Sequence, residues 1–212
     1  MNFLYELILN LLYETLVLRE LPSGRIRLGP LMRLKAPRIY LPVPVVEGHE
    51  VDLQQVVELV ASLSPLHTDE RYDGLGIVVV HNVNPLYFAQ HLGDPLIPPY
   101  PVSIHDFVSA KKYLEEIALG SNHDGVHIVY AKTGSVLVSH VKMVDPPIDN
   151  SVRTTHNGAT RGHSAAKFSR LDYVVGVVTG SKDGMTQLYV GGKPQFDEER
   201  MRELYNRYNG VR

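Results

Sequence analysis

The sequence predicts an α/β protein, and three observations carry that expectation. Runs rich in β-branched residues, GLGIVVV, VHIVYA, SVLVSHVKM, YVVGVV and MTQLYV, read as strands. Residues 52–63, 103–120 and 197–209 carry apolar side chains at helical spacing. Short polar turns, Lys132-Thr133-Gly134 and Ser181-Lys182-Asp183-Gly184, join strand runs in pairs, as hairpins do.

The elements follow in order. Residues 2–19 predict an amphipathic helix with Glu6, Asn10 and Glu14 as its polar stripe; those groups argue against a membrane span, which takes roughly 20 mostly apolar residues. The segment shows no basic leader or small-residue cleavage site, so a signal peptide is not expected. RIRLG and RIYLPVPVV read as short strands after the Pro22-Ser23-Gly24 turn, the second as an edge or merely extended segment because of Pro42 and Pro44. DLQQVVELVASL predicts a helix, and GLGIVVV a buried strand. NVNPLYFAQHLG reads as loop and then short helix. PLIPPYPV, with its four prolines, is the expected linker, which divides residues 1–100, an N-terminal region of α/β character, from 101–212.

Ser103 is the expected cap of the next helix, with Asp106 in its first turn and Gly120 at its end. The 126–143 hairpin carries His127 on the face of Val129 and Ala131; a histidine metal site is conceivable there, but without tight ligand spacing a satisfied core or surface histidine is the expectation. A long polar loop covers residues 144–160, a helix is expected over Ser164–Phe168, and the last helix starts near Asp197 and stops at Asn209-Gly210.

Composition narrows the function. The chain has 212 residues, which suits one domain or one and a half, and 44% of them are hydrophobic, enough for a proper core. A net charge of −2 gives no global field to recruit nucleic acid, and nucleic-acid binding is not expected. With no cysteine, disulfides and thiolate metal sites are excluded, which fits a cytoplasmic setting.

Chemistry concentrates between residues 123 and 193. Asp124-Gly125 leads into a strand; Asn157-Gly158-Ala159-Thr160-Arg161-Gly162-His163-Ser164-Ala165-Ala166 leads into a helix. A Gly-rich turn at a helix start aims free N–H groups and a positive dipole end outward, an anion site. Arg161 adds a bidentate phosphate donor and His163 a second donor. Asp124 at a strand mouth would hold a metal ion or orient a hydroxyl. The plain readings stand beside these: Asp124 as a turn cap, His163 as a backbone donor, Arg161 paired with Asp149. An earlier Asp73-Gly74 echoes Asp124-Gly125 and reads as coincidence.

The order of Asp-Gly strand, turn, strand, Gly/Thr/Arg/His/Ala-Ala loop and closing hairpin resembles the diadenylate cyclase domain family. The likeness covers roughly half the chain. It implies a mixed central sheet flanked by helices, here with an N-terminal helical and β extension. It further implies condensation of two ATP molecules into cyclic di-AMP with release of pyrophosphate by two facing protomers, with Mg2+ or Mn2+ as cofactor. Asp124 and His163 would be catalytic, and Asp124 also the metal ligand. Gly125, Val126, Gly158, Thr160, Arg161, Gly162 and Ser164 would bind nucleotide. Where the family has two arginines this chain has Gly162 and Ser164, and where it has an acidic run the chain has Ser181 and Lys182, with Asp183 adjacent. A nucleotide- or cyclic-dinucleotide-binding module without turnover, or a structural subunit, are the alternative expectations.

Overall fold

The structure is a computed structural model that describes residues 18–20, 26–28, 48–81, 89–96, 98, 101–120, 125–143 and 160–210. Strands β1 (Leu18–Glu20) and β2 (Ile26–Leu28) pair antiparallel as a two-stranded sheet. Leu18 and Arg19 are thus strand, not the end of the helix predicted over 2–19. The rest of that helix lies outside the described residues, as do RIYLPVPVV and the loop 144–159.

The main sheet has seven strands among the described residues, in the order β4-β6-β5-β3-β7-β8-β9. They are β3 (Leu75–Val80), β4 (Ala89–Leu96), β5 (Val126–Tyr130), β6 (Val136–Met143), β7 (Val174–Gly180), β8 (Thr186–Val190) and β9 (Lys193–Pro194). β3 and β5 run parallel, whereas β3–β7, β4–β6, β5–β6, β7–β8 and β8–β9 are antiparallel. With helices α1 (Leu53–Ala61), α2 (Phe107–Ala118), α3 (Thr160–Phe168) and α4 (Glu198–Asn209), this is an α/β fold on a mixed sheet.

Local sequence explains most elements. Asp52 caps α1 by accepting from Gln54 N at 2.9 Å, and Asp197 caps α4 by accepting from Arg200 N at 2.9 Å. Gly210, at φ 69°, ends α4 in the left-handed region. α2 is capped by Asp106, whose Oδ1 accepts from Ser109 N at 3.1 Å; Ser103, the expected cap, instead bridges to Ser135. Each residue of β3 is buried. Leu75, Ile77 and Val79 point into a core shared with Val57 and Val60 of α1, Leu114 of α2 and Leu204 of α4. Each such side chain stabilises the fold by about 1.5–3 kcal/mol through burial.

Two expectations are corrected. Residues 89–93, the end of the stretch read as loop and then short helix, and residues 95 and 96, read as the start of the linker, belong to one edge strand, Ala89–Leu96, against β6. Pairing with β6 satisfies backbone groups that a short helix would leave bare at its ends, and an edge position tolerates Pro95. Strands from before and after the proline-rich 95–102 segment therefore share one sheet. The second correction concerns α3, which starts at Thr160, four residues before the expected helix. Gly162, Ala165, Ala166 and Ser169 are all buried, a stripe of small side chains that lets α3 lie close on β7 and β8.

The charged face of α4 is not wholly solvated. Glu58 of α1 accepts from Arg207 Nη1 and the Tyr208 hydroxyl at 2.7 Å each, and from Gln54 Nε2 at 2.9 Å. Burial alone would raise the Glu58 pKa, yet these donors together hold it below its ordinary value. Because Arg207 is half-exposed, screening reduces the effect: Glu58→Gln is expected to lower stability by about 1 kcal/mol in urea unfolding. An unchanged midpoint would show that the α1–α4 contact is apolar only.

Candidate functional site

The parallel pair β3–β5 sets the geometry. Ile77 stands opposite His127, so the two strands begin side by side, β3 after Asp73-Gly74 and β5 after Gly125. Both glycines take the left-handed region, φ 86° at Gly74 and 99° at Gly125. Gly74 and Gly125, whose shared Asp-Gly context reads in the sequence as a chance echo, thus lie side by side at one end of the sheet. A Cβ on Gly125 would lie 2.9 Å from Val141 O, so only glycine fits this close to β6. Opposite it, His140 is the one non-glycine with positive φ among the described residues, at 61°, where β6 shifts register against β5. Asp124 lies outside the described residues, and so does Gly158; its neighbour Gly125 fixes where the chain joins β5.

β7 runs antiparallel to β3 and brings its end to the same place, with Leu75 opposite Gly180. The β7–β8 turn therefore hangs beside Asp73. Lys182 Nζ lies 3.8 Å from Asp73 Oδ1, and the Ser181 hydroxyl donates to Asp183 Oδ1.

From the first turn of α3, Arg161 reaches this end and donates Nη1 to Asp73 O at 2.7 Å. The approach depends on Gly74, since a Cβ there would stand 2.5 Å from Nη1 and 2.4 Å from Gly180 O. Charge from Arg161 is felt by two buried groups. Burial pushes the Tyr72 hydroxyl up to about 12, with the guanidinium pulling the other way and Asp183 adding to the rise. Burial also pushes the His127 imidazole down to about 4, and the nearby Arg161 and His140 push it the same way. His127 Nδ1 meets Ser139 Oγ at 2.7 Å, and Ser139 Oγ meets the Tyr113 hydroxyl at 3.1 Å. Of the core and surface roles open to it in the sequence, His127 takes the core one, with its ring nitrogen partnered.

The remaining expected site residues sort as follows. Gly162 is buried against the sheet side of α3, so its role is close packing rather than a flexible anion loop. Val126 is buried in β5, and its Cγ1 lies 2.9 Å from where a Cβ on Gly76 would stand. His163 and Ser164 are half-buried on α3. His163 is two residues from Arg161, about 200° around the helix axis, and so faces another direction. Thr160 starts the helix. Among the described residues no three His, Asp or Glu side chains converge as a metal site. Asp73 Oδ1 faces Lys182 Nζ, and Asp183 Oδ1 accepts from the Ser181 hydroxyl. Sequence reasoning missed Asp73, Gly74 and Lys182; the repeated Asp-Gly before a strand was the available signal.

Among the described residues no helix is long and apolar enough to cross a membrane. The sequence matches no family profile and no curated protein. Among solved structures, a hypothetical membrane-spanning protein from Bacillus cereus is similar, with 20% identity and a TM-score of 0.46 over 67% of this chain and 61% of that one. The present chain thus spans less than two thirds of that protein. A double mutant of DacA from Staphylococcus aureus is 16% identical, with a TM-score of 0.41 over 74% of this chain and 93% of that one. Likenesses this weak assign neither a family nor an activity.

Proposed function

We propose that the chain is a nucleotidyltransferase that condenses two ATP molecules into cyclic di-AMP and releases pyrophosphate. The observation behind this reading is the Arg161–Asp73 O bond, which anchors a guanidinium at the sheet end where Gly125 follows Asp124. Phosphoryl transfer is mostly positioning and charge neutralisation, and an arginine fixed at this sheet end supplies parts of both. Two protomers would face each other, each holding one ATP. The 3′-hydroxyl of each nucleotide would attack the α-phosphorus of the other and lose its proton to solvent, the new P–O bond forming as the α–β anhydride bond breaks and pyrophosphate leaves. Asp124 would orient the hydroxyl, Arg161 would hold phosphate oxygens, and the first-turn amides of α3 would support them. Mg2+ or Mn2+ would neutralise phosphate charge, with Asp124 as its protein ligand. His163, on another side of α3, would serve at most a neighbouring group.

A second reading has its own support: ATP or a cyclic dinucleotide bound without turnover. Gly162 and Ser164 offer no guanidinium, so Arg161 is the one arginine that α3 brings to the described sheet end. Incubation with ATP and Mn2+ or Mg2+, read by mass spectrometry, separates the two. Cyclic di-AMP is expected, falling at least about 100-fold in Asp124→Asn as for loss of a group made for the transition state. ATP-dependent thermal stabilisation without product would support binding alone, and no shift with any nucleotide would favour a structural role.

A further inference from the structure

We propose that Asp73-Gly74 is a platform that holds two cations, Arg161 and Lys182, as a clamp for a polyphosphate. The nucleotide reading above supplies only the identity of the anion, the triphosphate of ATP; the clamp itself follows from the geometry. Arg161 is held by a carbonyl rather than a carboxylate, Nη1 to Asp73 O at 2.7 Å, so the bond fixes its direction without cancelling its charge. The missing Cβ at Gly74 lets the guanidinium reach the backbone there. One of its five N–H donors is used in this bond, and a planar fork oriented this way suits two phosphate oxygens.

Lys182 comes from the other side, out of the β7–β8 turn. Its Nζ is 3.8 Å from Asp73 Oδ1, and the side chains are 71% and 56% exposed. A pair this long and exposed contributes little to stability, so the ammonium exchanges partners readily. The one acid of the turn, Asp183, accepts from the Ser181 hydroxyl. The pairing of Leu75 with Gly180 keeps the turn and Asp73 in fixed register. An arriving polyphosphate would meet Arg161 already aimed and draw Lys182 off Asp73.

Isothermal titration of the full chain with inorganic triphosphate, and separately with ATP, tests this at low and high salt. Wild type is expected to bind triphosphate, more weakly as salt rises. Lys182→Gln and Arg161→Gln should each weaken binding about tenfold, the scale of one charge-assisted hydrogen bond. Asp73→Asn should tighten it a few-fold, because the carbonyl that aims Arg161 stays while the acid competing for Lys182 goes; an ordinary surface ion pair would give no such gain. Melting curves verify folding, and if Arg161→Gln does not fold, Lys182→Gln decides. Wild-type triphosphate affinity in folded Lys182→Gln overturns the clamp. ATP binding that none of these variants changes overturns the clamp and leaves the nucleotide reading standing. Variant effects as expected with no cyclic di-AMP uphold the clamp and sink cyclisation alone. A wild type that binds neither triphosphate nor ATP overturns both.

Discussion

Replacing Gly74 by alanine is expected to lower stability by roughly 2–4 kcal/mol and to abolish the ATP-dependent stabilisation that the proposed function entails. Two costs combine. A non-glycine residue at φ 86° carries roughly 1–2 kcal/mol of backbone strain. The added Cβ would also stand 2.4 Å from Gly180 O and 2.5 Å from Arg161 Nη1. The carbonyl belongs to a neighbouring strand in the ladder and yields only if the Leu75–Gly180 pairing opens. The guanidinium is the freer group, and its departure ends its aim at the sheet end. Gly191 supplies the comparison, with φ 58° and nothing within 4 Å of a built Cβ. Gly191→Ala is expected to carry the strain alone, about 1 kcal/mol. Urea unfolding of both variants checks this, and equal losses would show that the close approach at Gly74 does not matter.

The second large effect is a loss of stability in mild acid. In the unfolded chain His127 takes a proton as pH falls through about 6.5; in the fold it stays neutral until about 4. Between those values the unfolded state binds more protons, so stability falls as pH falls. The full span corresponds to roughly 3 kcal/mol at 1.36 kcal/mol per unit. Glu58 and Asp106, whose pKa values lie below their ordinary ones, act in the same direction but at lower pH. The interval from about 6.5 to about 5 therefore reports mainly on a buried histidine. Urea unfolding midpoints at several pH values should slope there in wild type and flatten in His127→Gln. An unchanged slope in the variant would place the acid sensitivity elsewhere.

How much of this the sequence reveals depends on whether the cause is local. β3, the β5–β6 and β7–β8 hairpins, α1 and α4 were legible because burial pattern, turn chemistry and caps agree in each. β4 was not: AQHLGDPL has a proline and no strand periodicity, and it is extended because β6 offers it a partner. The start of α3 was misread because Gly162 looks like a loop residue until its burial against the sheet is seen. Arg161 stood out from residue type alone. Its anchor did not, since Asp73 is 88 positions away and offers a backbone carbonyl, which no side-chain pattern records. The significance of Asp73-Gly74 appears only once β3 and β5 are known to be parallel neighbours.

Amide hydrogen exchange with and without a non-hydrolysable ATP analogue and Mg2+ tests directly whether one nucleotide engages the two Asp-Gly strand starts and the first turn of α3. Protection is expected to rise together around Gly74, around Gly125 and over residues 160–164, to the same extent of saturation in each. Protection confined to one of these segments, or appearing only at the far end of the sheet, would contradict it.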